Sequence, residues 1–394
     1  MMATEIRIGR ILGIPVYLHL TFLIILPLFV YLFSAPQTQV RIFGMPMTFT
    51  DLDADLWVKY AFGTAATLIF FLTIFTHELA HSYVARSYGV KIRSITLMIF
   101  GGVSSMEDLP RNPGQEWRMA FAGPFSSLAI GVTSLLTMYA IDPIISESMI
   151  GEGIVILLGL MGIYNLLLAG FNMIPAFPMD GGRVLRAYLA SKMPYMEATK
   201  KAARVGRYFA IGMGIFGIFT FNFFLILIAM FVYIGASEEE QAVTVTESLH
   251  GVPVKQLMIG AVQVAHPDMT VQQLHELMLA TGHMGFPVVD SALLGIVTHA
   301  ESVKVPRESL GIVRVRDIMT RNVVSVDPDM DSSKALRAMY DSKVGMLVVL
   351  DHGALVGIVT HKDFIRAVNS ALAQRHVMRW GEQFPPQPPP SSPV

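Results

Sequence analysis

The chain has 394 residues, 53% of them hydrophobic and only 15% charged, against about 25% charged in an ordinary soluble protein, so neither one uniform soluble domain nor a largely disordered chain fits. A net charge of −1 leaves no basic excess for a phosphate backbone, and no nucleic-acid partner is expected. The absence of cysteine removes disulfides and thiolate chemistry, so any transition metal must be held by His, Asp or Glu.

Charge divides the chain. Residues 1–235 carry 29 charged side chains and the shorter stretch 236–394 carries 30, which predicts a membrane part followed by a soluble part. From the N-terminus, Met1-Met2-Ala3-Thr4-Glu5 does not read as a cleaved signal, because the apolar run behind it is too long and no small-residue cleavage site follows. No Asp, Glu, Lys or Arg occurs in 11–40, 60–77, 119–141, 153–179 or 208–237. About 20 apolar residues suffice for one transmembrane helix. The first four windows predict one span each, the second continuing through Glu78 and His81. The fifth is longer and follows a good helix former at 196–207. It predicts a span over about 198–217, a turn near 220–222 and a sixth span to about 236. Basic residues cluster before span one, between spans two and three, and between spans four and five. This alternation predicts a cytoplasmic N-terminus and a cytoplasmic C-terminal part.

The second span contains Thr76-His77-Glu78-Leu79-Ala80-His81. On a helix, residues i and i+4 lie one above the other, so His77 and His81 can hold one metal with Glu78 beside it as general base. Glu78 follows the uncharged run 70–76, and an ionisable residue at membrane depth needs a partner or a function. The alternative is a helix end at the interface with its histidines satisfied by water. Between these histidines and the next span, residues 90–104 are β-branched with a Gly101-Gly102 pair for a turn. They predict a β-hairpin dipping into the membrane, with one edge free to take up an extended substrate; a cytoplasmic surface hairpin is the alternative. A catalytic zinc needs a third protein ligand. Span four ends in Asn172-Met173-Ile174-Pro175-Ala176-Phe177-Pro178-Met179-Asp180-Gly181-Gly182-Arg183, whose prolines and glycines break the helix. Asp180, the lone acid of that stretch, is the expected third ligand; the alternative is a turn aspartate.

These motifs resemble the site-2 protease family of intramembrane zinc metalloproteases. Further matches are Gly13-Ile14-Pro15 with His19, Phe100-Gly101-Gly102-Val103 and Ala122-Gly123-Pro124, and the resemblance covers residues 5 to about 235. It implies a polytopic α-helical membrane fold that cleaves transmembrane segments within the lipid bilayer. It also implies zinc held by His77, His81 and Asp180, catalysis by Glu78, and substrate or oxyanion binding by Asn172. For Asn172 a helix cap is the alternative reading; His19 is read either as facing the cavity or as a satisfied interfacial histidine.

The C-terminal part is an internal repeat. Val254-Lys255-Gln256-Leu257-Met258 recurs as Val315-Arg316-Asp317-Ile318-Met319, and Gly295-Ile296-Val297-Thr298-His299 as Gly357-Ile358-Val359-Thr360-His361, about 61 residues on. Each copy predicts a short strand, a helix (Val271–Thr281 or Ser332–Ser342), two strands and a helix start. This resembles a tandem pair of α+β CBS domains over about 250–370, divided near 310. The resemblance implies an adenine nucleotide (ATP, ADP or AMP) against Thr360 and Asp363. Thr298 is the counterpart of Thr360, but Glu301 departs from the pattern. The alternative is a homodimerisation or docking module without ligand. The layout expected is thus a membrane metalloprotease domain over 1–236, the pair, and a Pro-rich, disordered tail over 371–394. The competing class, a CBS-gated channel or transporter, predicts paired broken helices in two membrane halves, which the sequence does not show.

Overall fold

A computed structural model of the chain describes residues 5–34, 41–42, 44–98, 101–106 and 112–383, without the side chains of 374–383. The chain divides into two compact units, Met1–Gln241 and Ala242–Val394.

The first unit begins with β1 (Glu5–Ile11) and β2 (Ile14–His19), an antiparallel hairpin with Ile11 opposite Ile14. Its two turn residues, Leu12 and Gly13, have φ of 52° and 80°, the backbone sign that suits the twist of a two-residue hairpin. The apolar window 11–40 is therefore not one long span. Pro15 and the β-favouring Val16 and Tyr17 hold its start in a strand, and only α1 (Leu20–Ser34, 15 residues) is helical. A small ribbon, β3 (Arg41–Ile42) and β4 (Met45–Pro46), leads to α2 (Leu56–Ser87). Strands β5 (Ile92–Met98) and β6 (Gly101–Met106) follow. β5 runs parallel to β2 and antiparallel to β6, giving the sheet order β1-β2-β5-β6.

The expected turn at Gly101-Gly102 lies elsewhere. Both glycines belong to β6, opposite Met98 and Leu97. The reason is close packing: a Cβ on Gly102 would sit 2.4 Å from Cγ of Glu78. Residues 99 and 100, including the Phe100 of the family motif, lie outside the described residues.

Helix α3 (Pro113–Ile145) starts behind Asn112, whose side chain accepts from the Gly114 amide, and α4 (Met149–Asn172) starts behind Ser148. After them come α5 (Asp180–Ala190), α6 (Tyr195–Phe219) and α7 (Phe223–Leu249). α6 and α7 meet at Thr220, Phe221 and Asn222, with Phe221 at φ 52°. The stretch after 236, between the bounds expected for the protease domain and the pair, is helical to Leu249, because Glu238, Glu239, Glu240, Gln241 and Ala242 favour helix. Among the described residues, α2, α3 and α4 are each long and apolar enough to cross a membrane, and α1 is a shorter apolar helix. An aromatic core joins α1, α2 and α4: Phe22 meets Phe71 edge-on at 4.6 Å, Phe29 stacks on Phe70 at 5.4 Å, and Phe33 meets Tyr164 at 5.6 Å.

The second unit repeats one pattern twice. The first copy comprises α8 (Val271–Thr281), β7 (Gly285–Val289), β8 (Leu293–Thr298) and α9 (His299–Ser302). A short α10 (Val315–Ile318) opens the second, followed by β9 (Ser325–Val326), α11 (Ser332–Ser342), β10 (Met346–Asp351), β11 (Ala354–Thr360) and α12 (His361–Gln383). α8 and α11 both end on a left-handed residue, Gly282 and Lys343. Each copy has its own core, around Leu274, Phe286 and Val297 in the first and Leu336, Leu347 and Phe364 in the second. Helix α12 moves the start of the expected tail. Residues 371–383 contain no proline and are rich in helix formers, so the chain stays helical to Gln383. The proline cluster from Pro385 lies outside the described residues.

Candidate metal centre

His77 and His81 stand one turn apart on α2, and Asp180 is the first residue of α5. Asp180 Oδ2 lies 3.3 Å from His77 Nε2 and 3.0 Å from His81 Nε2, and the two Nε2 atoms are 3.2 Å apart. All three side chains are buried, and among the described residues they form the one group of three donors placed to hold a metal ion.

Both imidazoles are held from behind by α3. His81 Nδ1–H donates to the carbonyl of Met119 at 2.7 Å. A carbonyl only accepts, so this bond fixes the tautomer and turns the Nε2 lone pair toward the centre. His77 Nδ1 bonds to Ser127 Oγ at 2.9 Å, and donation from Nδ1 leaves its Nε2 lone pair free in the same way. Between these two contacts α3 presents Gly123. A Cβ there would fall 2.2 Å from His81 Nε2 and 2.5 Å from His77 Nε2, so the missing side chain makes the room in front of the histidines. Asp180 is delivered by the turn after α4. Cβ atoms on Gly181 and Gly182 would sit 2.3 Å from the Ile174 carbonyl oxygen and 2.6 Å from the Phe177 amide nitrogen, so only glycines let that turn close. Two imidazole nitrogens and one carboxylate, with no backbone atom among them, are a donor set suited to zinc.

Glu78 adjoins the group on α2 and packs against Gly102 of β6. Its backbone carbonyl accepts from Ser82 Oγ at 2.9 Å, and Ser82 Oγ meets Ser104 Oγ of β6 at 2.8 Å. Metal helix and strand are thereby tied together. Asn172 does not join the group: it ends α4, and its Nδ2 donates to the Leu168 carbonyl at 2.9 Å. His19 lies at the end of β2, where its Nδ1 accepts from the Thr21 amide at 3.3 Å. In the second unit Asp363 is buried, and its Oδ2 accepts from the amide (2.9 Å) and hydroxyl (2.7 Å) of Thr360. Glu301 accepts from the Thr298 amide and hydroxyl in the same way. Both acids therefore cap a helix start, and the Asp-to-Glu departure keeps that bond.

Sequence reasoning did not single out Ser127 or Met119 as supports. The available signal was periodicity: Met119, Gly123 and Ser127 follow one another at four-residue steps and so share a face of α3.

The model of peptidase family M50 matches residues 65–213, and the CBS domain model matches 254–301 and 315–370. A zinc metalloprotease of Methanocaldococcus jannaschii is 35% identical over 366 residues, covering 93% of this chain and 96% of the relative. Stage IV sporulation protein FB of Bacillus subtilis is 24% identical over 199 residues, 47% of this chain and 63% of that protein. Among solved structures, a site-2 protease from Methanocaldococcus jannaschii is 38% identical and covers 60% of this chain and 95% of its own, with a TM-score of 0.42.

Proposed function

The chain belongs to peptidase family M50, and from that premise we propose that His77, His81 and Asp180 hold the catalytic zinc of an intramembrane protease whose general base is Glu78. The protein is a zinc metalloprotease with a CBS pair, and its family acts on membrane proteins. The observation that carries the site assignment is the meeting of three buried donor atoms from α2 and α5 within 3.3 Å of one another, next to a carboxylate that none of those contacts uses.

Zinc, when bound, supplies a Lewis acid that polarises the scissile carbonyl and acidifies water. The rest is done by the chain. Glu78 takes the proton of the attacking water on its carboxylate and returns it to the nitrogen of the leaving amine. Gly102 and the Ser82–Ser104 contact hold β6 beside that carboxylate. β6 is an outer strand of its sheet, so an unwound substrate segment can add to its edge by backbone hydrogen bonds. Asn172 contributes to substrate or oxyanion binding only by exchanging its bond to Leu168 for one to the substrate.

We place six spans in the bilayer, from α1, α2, α3, α4, α6 and α7, with β5 and β6 dipping in beside α2 and both termini cytoplasmic. The support for α6 and α7 is their outward apolar surface: Phe216, Phe219, Phe223 and Phe224 are all more than 60% exposed, which water disfavours and lipid does not. The protease domain then covers 1–236 and the pair 250–370. For the pair we propose an adenine nucleotide near Thr360, Asp363 and Thr298. A module without ligand is the second reading, favoured by the engagement of both acids at their own helix starts.

Metal analysis of the purified chain tests the centre. It should give about one zinc per chain, and His77→Ala should lower it markedly. Unchanged stoichiometry in that variant contradicts the assignment.

A further inference from the structure

Arg186 is the largest fully buried side chain among the described residues, and nothing in the chemistry above uses it. It lies on α5 six residues after Asp180, about 9 Å along the helix axis. Its Nε donates to Glu116 Oε1 at 2.6 Å, and Nη2 lies 2.6 Å from the same oxygen. Its Nη1 donates to Glu239 Oε1 at 2.5 Å. The guanidinium also lies 5.0 Å from the ring centres of Phe177 and Tyr195. Four segments thus converge on the helix that carries Asp180: Glu116 from α3, Glu239 from α7, Tyr195 from α6, and Phe177 from the turn that delivers Asp180.

A buried ion pair is a poor source of stability, since desolvation opposes the attraction, and its best-attested use is to fix register. The register at stake can be read from α3. Glu116, Met119, Gly123 and Ser127 follow at steps of three, four and four, so they share one face. Met119 and Ser127 orient His81 and His77, Gly123 leaves the space, and Glu116 grips α5 through Arg186. One face of α3 therefore references all three donors to a common frame, and Glu239 of α7 holds the same helix through the same guanidinium.

We propose that Arg186 is a positioning residue for Asp180, held by Glu116 and by Glu239 of the acidic run on α7. The proposal rests on the reading of Asp180 as a zinc ligand. It makes Glu239 part of the metal centre's support.

The test measures zinc affinity of the purified full-length chain by competition with a chromophoric chelator, alongside kcat and KM on a transmembrane peptide. The variants are Glu239→Gln, Arg186→Lys and, as control, Asp180→Asn. Glu239 is partly exposed, so Glu239→Gln keeps the fold even if changes at Arg186 do not. Glu239→Gln and Arg186→Lys should each weaken zinc binding on the order of 10-fold and lower kcat, with KM unchanged. A zinc affinity within about twofold of the parent in Glu239→Gln, while Asp180→Asn loses zinc, overturns the positioning role and leaves the ligand reading intact. Full zinc affinity in Asp180→Asn overturns both.

Discussion

The two imidazoles are fixed by bonds that carry no metal. His81 is locked by a backbone carbonyl, which no side-chain substitution removes, whereas His77 depends on the hydroxyl of Ser127. Ser127→Ala should therefore weaken zinc binding on the order of 10-fold without loss of helix content, read by chelator competition and circular dichroism. An unchanged affinity would show that His77 needs no support. Gly123→Ala should act more severely, because its methyl would occupy the space before both Nε2 atoms. Zinc content below about a tenth per chain is expected in a protein that still inserts and folds. At this scale the sequence exposes His77, Glu78 and His81 through the four-residue helical step, and Asp180 as a lone acid in an apolar stretch. Ser127 and Met119 stay hidden because a serine in an apolar helix usually bonds its own backbone, as Ser126 does with the Gly123 carbonyl, and a backbone carbonyl has no sequence signal at all.

Among the elements, those with a strong period or a repeat are legible. Helices α8 and α11 occupy the residues that the repeat assigns to them. One misreading falls where apolarity alone was the guide. Residues 14–19 carry no charge and lie in a window that reads as a span, yet Pro15 and the Leu12-Gly13 turn hold them in a strand paired with both β1 and β5. The Gly101-Gly102 pair reads as a turn, but it serves the close approach of β6 to α2, a contact visible only once both elements are in place. That approach carries a prediction. Gly102→Val should push Glu78 from its position and lower kcat on the order of 100-fold, the scale of a displaced general base, while zinc remains bound. Equal loss of zinc and activity would mean that the strand supports the ligands rather than the base.

The whole molecule joins a membrane protease to a CBS pair, and the uneven distribution of charge announces that division. The place where it falls was less legible: α7 continues as one helix through the acidic run to Leu249, because the residues that end the apolar pattern are themselves helix formers. A nucleotide at the pair should be detectable by calorimetry with ATP, ADP or AMP and weakened by Asp363→Ala. That variant also loses the two bonds that Asp363 accepts from Thr360 at the start of α12, so thermal unfolding must be followed beside binding. Destabilisation with unchanged nucleotide affinity would assign Asp363 to the cap alone. The central claim, that Glu78 is the base beside a zinc held by His77, His81 and Asp180, is tested most directly by Glu78→Gln, assayed for zinc content and for cleavage of a reconstituted transmembrane substrate. A glutamine cannot accept the proton of the attacking water, so about one zinc per chain and no measurable cleavage are expected; appreciable cleavage by that variant would contradict the claim.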